Sequence, residues 1–252
     1  MTRFAALDAE LDRWAARGDT ASFWWRDDDA APDSPALARL LELAARHHAP
    51  LALAVIPLRL DDAAARRILR CREASVLQHG IRHENRARAG EKKCELADGV
   101  PAETLLHELQ EAGARLTDAF DGRALPVLVP PWNRIAPGLA PLLPSIGVRG
   151  LSTYLARKAC EAAPGLRQVN AHADLIDWPG TRGFIGDAAA LDLLADHLSA
   201  RREGRADAGE PTGLLSHHAA QDEACWGFLD ALLDRLSGHP AARLLAAEAC
   251  FA

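Results

Sequence analysis

FWWRDDDA, residues 23–30, puts three aspartates directly behind an aromatic, strand-like run. Adjacent carboxylates repel one another, so a fold that gathers them at the end of a buried strand has a cation or a proton to share among them. The competing reading is a solvated acidic turn. What the rest of the chain brings to the same place decides between the two.

Working outward, short apolar runs alternate with longer amphipathic ones. SPALARLLELAARHH (34–48) opens with a Ser cap and a first-turn Pro ahead of an apolar 3-4 repeat, which predicts a helix. LALAVIP (51–57) and ASVLQHG (74–80) read as buried strands with a helix, DDAAARRILRC (61–71), between them. Residues 81–100, IRHENRARAGEKKCELADGV, keep no period and predict a long loop, of the sort that is more often functional than decorative. A helix over 101–120 then precedes LPVLVPPWN (125–133), a strand running into a rigid Pro-Pro turn. A short helix over 138–146 and strands in VRGLST (148–153) and into DLIDW (174–178) follow. The pattern ends with a helix over 187–203, an exposed connection over 202–212, a strand in TGLLSH (212–217) and a helix over 225–237. Repeated β-α units of this length predict an α/β fold, a distorted, TIM-barrel-like (β/α) barrel of about seven parallel strands, forming one domain over residues 1–252.

Composition agrees with that expectation and removes other function classes. The chain has 252 residues, 49% hydrophobic and 25% charged, enough for a sizeable core and unlike a disordered chain. Lys plus Arg number 29 against 35 Asp plus Glu, with no basic stripe, so nucleic acid is not an expected partner. The five cysteines, Cys71, Cys94, Cys160, Cys225 and Cys250, are scattered and never form C-x-x-C, which argues against a disulfide framework or a zinc ribbon. The opening MTRFAALDAELDRWAARGDT lacks a secretory apolar core, and no apolar run reaches the roughly 18 residues of a membrane span. The expectation is a cytoplasmic protein with no membrane partner; the oligomeric state is not readable.

In barrels of this type reactive residues sit at the C-terminal ends of strands. Those predicted ends carry Asp27, Asp28 and Asp29, then His79, then Pro130 to Asn133, then Asp174 and Asp177 beside Trp178, then His217 and His218. HGIRH spaces His79 and His83 four apart, which on one helical turn would bring two imidazoles to a single ion. Alone that spacing is weak, since the chain has ten histidines. Coupled to an aspartate it gives a His-His-Asp set with open positions, as a catalytic metal site requires.

RDDDA, HGIRH, PPWN, DLIDW and LLSHH, in this order, resemble the five motifs of the polysaccharide deacetylases, the NodB-homology or carbohydrate esterase family 4 group. The resemblance spans residues 25–218 and implies hydrolytic removal of an acyl group, chiefly N-acetyl, from a carbohydrate or small glycoconjugate. It implies one divalent ion, zinc being the expected one, held by Asp29, His79 and His83, with Asp28 as general base. His217 falls where the family has its catalytic acid, supported by Asp177 with Trp178. Trp132, through its backbone N–H, falls on the oxyanion donor, and Pro131, Asn133 and Trp178 on substrate-binding positions. In this register Asp27 turns away to pair with an arginine; Asp27 with Asp28 is an alternative register that would exchange the roles. Two positions depart from the pattern: Gly80 replaces a Ser or Thr, and Val129 replaces an Arg that orients the base, for which Arg26 and Arg134 are the substitutes at hand.

Other features carry plainer readings. Trp24, Trp25 and Trp226 are expected in the core, and His47, His48, His107, His197 and His239 on the surface. Lys92 and Lys93 belong to a solvated loop that reaches toward an anionic substrate group. His172 and Asp174 are loop residues near the site. Two rival functions stay open: a D-x-D metal-dependent glycosyltransferase or phosphatase built on Asp27 and Asp29, and a decayed barrel that only binds sugar or a partner protein.

Overall fold

A computed structural model describes residues 3–252. In chain order the elements are α1 (Ala5–Ala16), β1 (Ala21–Ala30), α2 (Pro35–Arg46), β2 (Leu51–Val55), α3 (Asp62–Arg70), β3 (Ala74–His79), α4 (Ala102–Ala119), β4 (Ala124–Val129) and β5 (Gly150–Leu151). There follow β6 (Glu161–Ala163), β7 (Leu166–Gln168), β8 (Ala173–Asp174), α5 (Asp187–Arg202), β9 (Thr212–Ser216), α6 (Glu223–Gly238), β10 (Ala242–Leu244) and α7 (Ala247–Phe251). Local chemistry sets several boundaries. The side chains of Ser34, Asp61 and Asp222 accept backbone N–H groups at the starts of α2, α3 and α6, satisfying donors that a helix start leaves orphaned. The helix expected over 138–146 is a 3-10 segment, Ala140–Ile146, because Pro144 lies inside it and withholds an N–H.

The strands form one sheet in the order β6-β7-β5-β4-β3-β2-β1-β9-β8, and all pairs but β6 with β7 are parallel. The run from β7 into β8 closes the barrel: β7 pairs with β5 on one side and β8 with β9 on the other. Counting β7 and β8 as one wall gives a distorted (β/α) barrel of seven parallel strands, as the alternation in the sequence predicts.

Side chains alternate along each strand between the barrel interior and the helix layer. Trp24, Ala52, Ala54, Leu77, Val127 and Val129 pack inside, where Ala247 and Cys250 of α7 join them. Phe23, Trp25, Leu51, Leu53 and Val55 pack outward with α1, α2, α5 and α6. The three tryptophans expected in the core are there. Two histidines expected on the surface, His197 and His239, are buried, because each finds a polar partner inside: His197 on Thr212, and His239 on the backbone N–H of Ala241. The connection over 202–212 is exposed except at its end, where Glu210 is fully buried and accepts the backbone N–H groups of Arg157 and Asn170.

Candidate active site

β1 does not stop before its aspartates but runs through them, so strand alternation assigns their faces. Arg26 and Asp28 point inward with Trp24, while Asp27 points outward with Trp25. Strict alternation would send Asp29 outward as well. A bulge prevents this: the pairing with β2 steps from Asp27 and Leu53 to Ala30 and Val55, leaving one extra residue on β1. Asp29 takes a left-handed φ of 72°, and its carboxylate meets the histidines of the next-but-one strand.

His79 ends β3, and its ring Nδ1 lies 2.9 Å from the carbonyl oxygen of Val129. A carbonyl only accepts, so Nδ1 carries the proton, and Nε2 is the atom turned to Asp29 Oδ1, 3.0 Å away. His83 Nε2 lies 3.2 Å from the same oxygen. The two histidines are not on a helical turn, as their spacing suggests. Gly80 and His83 adopt φ of 59° and 58°, and this tight non-helical bend brings the two rings to 5.2 Å. Burial opposes the charge on Asp29, yet the hydrogen bond and charge of His79, with His83 and His217, hold its carboxyl well below the usual range. Burial lowers His83, whereas at His79 the neighbouring Asp29 and Asp28 overcome burial and raise it. Two ligands about 2.0–2.1 Å from one tetrahedral ion stand roughly 3.3 Å apart. The donor set and spacing here fit a divalent cation.

Asp28 sits beside this set on a fully buried arginine. Arg26 Nε is 2.9 Å from Asp28 Oδ1, and its terminal nitrogen donates to Oδ2 at 3.1 Å. The same guanidinium donates to Ser152 Oγ at 2.6 Å, the Thr153 carbonyl at 3.1 Å and Asn133 Oδ1 at 2.7 Å, which fixes it from the segments that follow β5 and β4. Arg26 therefore supplies the charge that Val129 lacks, whereas Arg134 turns to the Lys93 carbonyl. Asp28 Oδ1 is buried and, among the described residues, has no aligned hydrogen-bond donor, Arg26 Nε meeting it only as an ion-pair partner.

His217 follows β9 directly. Its Nδ1 is 3.6 Å from Asp174 Oδ1, and although burial pushes the ring down, Asp174 with Asp28 and Asp29 raises it to about 9. Asp177, expected to support His217, is elsewhere: its carboxylate accepts the backbone N–H groups of Gly180 and Thr181 and closes a turn. The strand period explains the exchange, since Asp174 ends β8 alongside Leu215 while Asp177 lies beyond the sheet. Trp178 keeps its expected place, edge-on to the His217 ring at 4.8 Å and donating from Nε1 to Asp174 at 2.9 Å.

Pro131, Trp132 and Asn133 form a 3-10 turn after β4, with the Trp132 ring 4.4 Å from that of His83. Asn133 holds Arg26 rather than facing open space. Of the eight non-glycine residues with positive φ among the described residues, four (Asp29, His83, Trp132 and Asn133) gather here. Such backbone costs about 1–3 kcal/mol per residue and concentrates at functional sites.

Two further polar groups flank the site without entering it. Asp27 is wholly buried in the outer layer, where it accepts from Ser216 Oγ at 2.6 Å and pairs with His218 Nδ1 at 2.5 Å. Its expected partner, an arginine, goes to Asp28 instead, and Asp27 and Asp29 share no site of the D-x-D kind. His172, His197 and Glu210 make a second buried cluster. There the backbone N–H of Gly213 donates to His172 Nδ1 at 2.8 Å, which places the neutral ring's proton on Nε2, the nitrogen facing Glu210 at 3.4 Å. The two imidazoles stack at 3.4 Å and 16°, so their lone pairs run side by side instead of converging.

No family model and no curated protein matches the sequence. Solved structures do match. The structure is similar to a protein described as a polysaccharide deacetylase from Mycobacterium smegmatis, with a TM-score of 0.67 at 16% identity over 92% of this chain and 89% of that one. It is similar to a family 4 acetyl xylan esterase from Clostridium thermocellum in complex with a cobalt ion, TM-score 0.54 at 16% identity over 91% and 90%. It also matches a carbohydrate esterase family 4 pseudoenzyme from Bacillus anthracis, TM-score 0.59 at 12% identity over 92% of this chain and 66% of that one. The chain has the fold of these carbohydrate esterase family 4 proteins.

Proposed function

We propose that the protein is a metal-dependent hydrolase that removes an acyl group, chiefly N-acetyl, from a carbohydrate or small glycoconjugate. The observation that carries this reading is the convergence of His79 Nε2 and His83 Nε2 on one oxygen of Asp29, with the His79 proton held on the opposite ring nitrogen. Asp29, His79 and His83 would hold the divalent ion, zinc being the expected one. Bound there, such an ion polarises an acyl carbonyl and acidifies water.

Asp28, oriented by Arg26, takes the proton of the water that attacks the acyl carbon. The developing oxyanion falls to the Trp132 backbone N–H, a fixed donor of a kind worth roughly 3 kcal/mol. As the C–N bond breaks, His217, kept protonated by Asp174, gives its proton to the leaving amine. Acid and amine are the products. Trp178, exposed at the rim beside His217, and Pro131 border the place where the sugar sits.

The test is acetate release from a panel of N-acetylated sugars and nucleotide sugars, with and without chelator. Release that the chelator abolishes and added zinc restores is the expected result; release indifferent to chelator, or none from any acylated sugar, overturns the reading. The pseudoenzyme neighbour keeps a second reading in view, a barrel that only binds sugar or a partner protein. Against it, the side chains we assign as base, acid and metal donors, Asp28, His217, Asp29, His79 and His83, lie close together.

A further inference from the structure

Glu95 lies in the long loop between β3 and α4, outside every element of the proposed mechanism, and is completely buried. Both of its oxygens are turned onto the histidine bend. Oε2 accepts the backbone N–H of Ile81 at 2.9 Å, and Oε1 accepts those of Arg82 at 2.8 Å and Glu84 at 3.1 Å. Three donors on one carboxylate thus bracket His83 on both sides, at the residue that must hold a left-handed φ of 58°.

The start of the bend is held by the Gly80 N–H on the Val129 carbonyl, by Gln78 Nε2 on the Gly80 carbonyl and by the Leu58 N–H on the Ile81 carbonyl, each at 3.1 Å, whereas beside His83 the N–H groups of Arg82 and Glu84 both go to Glu95. A Cβ at Gly80 would stand 2.2 Å from Glu95 Oε2 and 2.6 Å from the ring of Pro131, so no side chain at that position can tie down the loop. Glu95 is itself anchored on both flanks. The Cys94 N–H donates to Asn85 Oδ1 at 2.9 Å, and the Leu96 carbonyl accepts the Ala136 N–H at 2.8 Å. Leu96 is fully buried and bridges to Ile135, just beyond the turn that carries Trp132. The carboxylate therefore ties the His79–His83 bend to the neighbouring Pro131–Asn133 turn.

We infer that Glu95 is the positioning residue for His83, holding the backbone bend that aims its imidazole at Asp29, in the place where Gly80 leaves no side chain to do so. The inference rests on the metal-site reading given above. His79, fixed at the end of β3 by the Val129 carbonyl, does not need this support, so the effect falls on one ligand of the set.

The test uses the full chain stripped of metal and titrated with Co2+, read by calorimetry and by the visible absorption of the bound ion. Supporting groups behind metal ligands are typically worth 10- to 100-fold in affinity. Glu95→Ala should weaken Co2+ binding by roughly that factor and change the absorption of the bound ion, with far-ultraviolet circular dichroism unchanged. Should Glu95→Ala fail to fold, Glu95→Gln carries the test: it keeps the shape and one acceptor oxygen but sets an NH2 group against backbone N–H donors, and should weaken binding several-fold. Co2+ affinity and absorption equal to wild type in a folded Glu95 variant overturn the inference and leave the metal site standing. A wild-type chain that takes up no stoichiometric Co2+ overturns both.

Discussion

Two clusters in this molecule contain the same chemistry, two histidines and a carboxylate, and differ in what they can do. In Asp29, His79 and His83 the first imidazole gives its Nδ1 proton to a backbone carbonyl. In His172, His197 and Glu210 the first imidazole accepts a hydrogen bond at Nδ1 from a backbone N–H. One backbone group, C=O or N–H, decides whether the other ring nitrogen offers a lone pair or a hydrogen. Ring geometry agrees, with the first pair tilted at 41° and 5.2 Å and the second stacked at 16° and 3.4 Å. Residue type and proximity alone do not make a metal site.

The largest effect that would break this comparison is on metal content. His79→Ala or Asp29→Ala should lose the stoichiometric divalent metal and all turnover, whereas His197→Phe should keep both; elemental analysis of purified variants decides, and equal metal loss in the two groups would erase the distinction. Next, Asp28→Asn should keep the metal and lower kcat by roughly 10²- to 10⁴-fold, the usual weight of a general base; activity near wild type would remove Asp28 from its role.

The third expectation concerns pH. His217 is raised from its ordinary value near 6.5 to about 9, so an activity that needs its proton holds up to about 9 and falls as pH rises through that value. Its contribution to folding stability follows the same sign, fully present below about 6.5 and lost as pH passes about 9. Asp174→Asn removes the carboxylate that does most to raise it, so the alkaline limb of kcat should move to lower pH, while Asp177→Asn should leave the limb in place. A pH profile of both variants separates the two carboxylates.

The second cluster should answer to stability alone. Glu210→Ala strands the buried N–H groups of Arg157 and Asn170, at about 1–3 kcal/mol each, and at about 2–4 °C per kcal/mol should lower Tm by several degrees without changing metal affinity. The smallest effect is expected from Trp178→Phe, which keeps the ring beside His217 but drops its hydrogen bond to Asp174. A change of a few fold in KM, with kcat nearly constant, is the measurement that checks it, since roughly one hydrogen bond is lost.

Much of the barrel was legible because parallel strands buried on both faces and amphipathic helices leave distinct periods in a sequence. The site was legible where a motif sits on a strand end, as with His79 and His217. It was not legible where backbone geometry intervenes. Nothing in three identical aspartates announces a bulge, yet the bulge is what keeps Asp29 from turning outward with Asp27. Asp174 and Asp177 compete within one short stretch, and only the pairing of β8 with β9 shows which one reaches the histidine. Glu210 and His197 come from a polar connection and a helix face, so each looks solvated until the fold brings them together. Glu95 is one of four acids in an unpatterned loop, with Glu84, Glu91 and Asp98, and only its place directly before the apolar Leu96 sets it apart.

β1 has one more consequence, for the time before the barrel exists. It pairs with β9, and 189 residues separate Asp27 from Ser216. At synthesis rates of about 5–20 residues per second, that edge of the strand waits roughly ten to forty seconds for its neighbour. An unpaired edge reading Phe-Trp-Trp is a template for joining another chain. The four charges that follow, Arg26 to Asp29, are the kind that keep such edges apart in solution, so the residues that serve the finished site also guard the unfinished one.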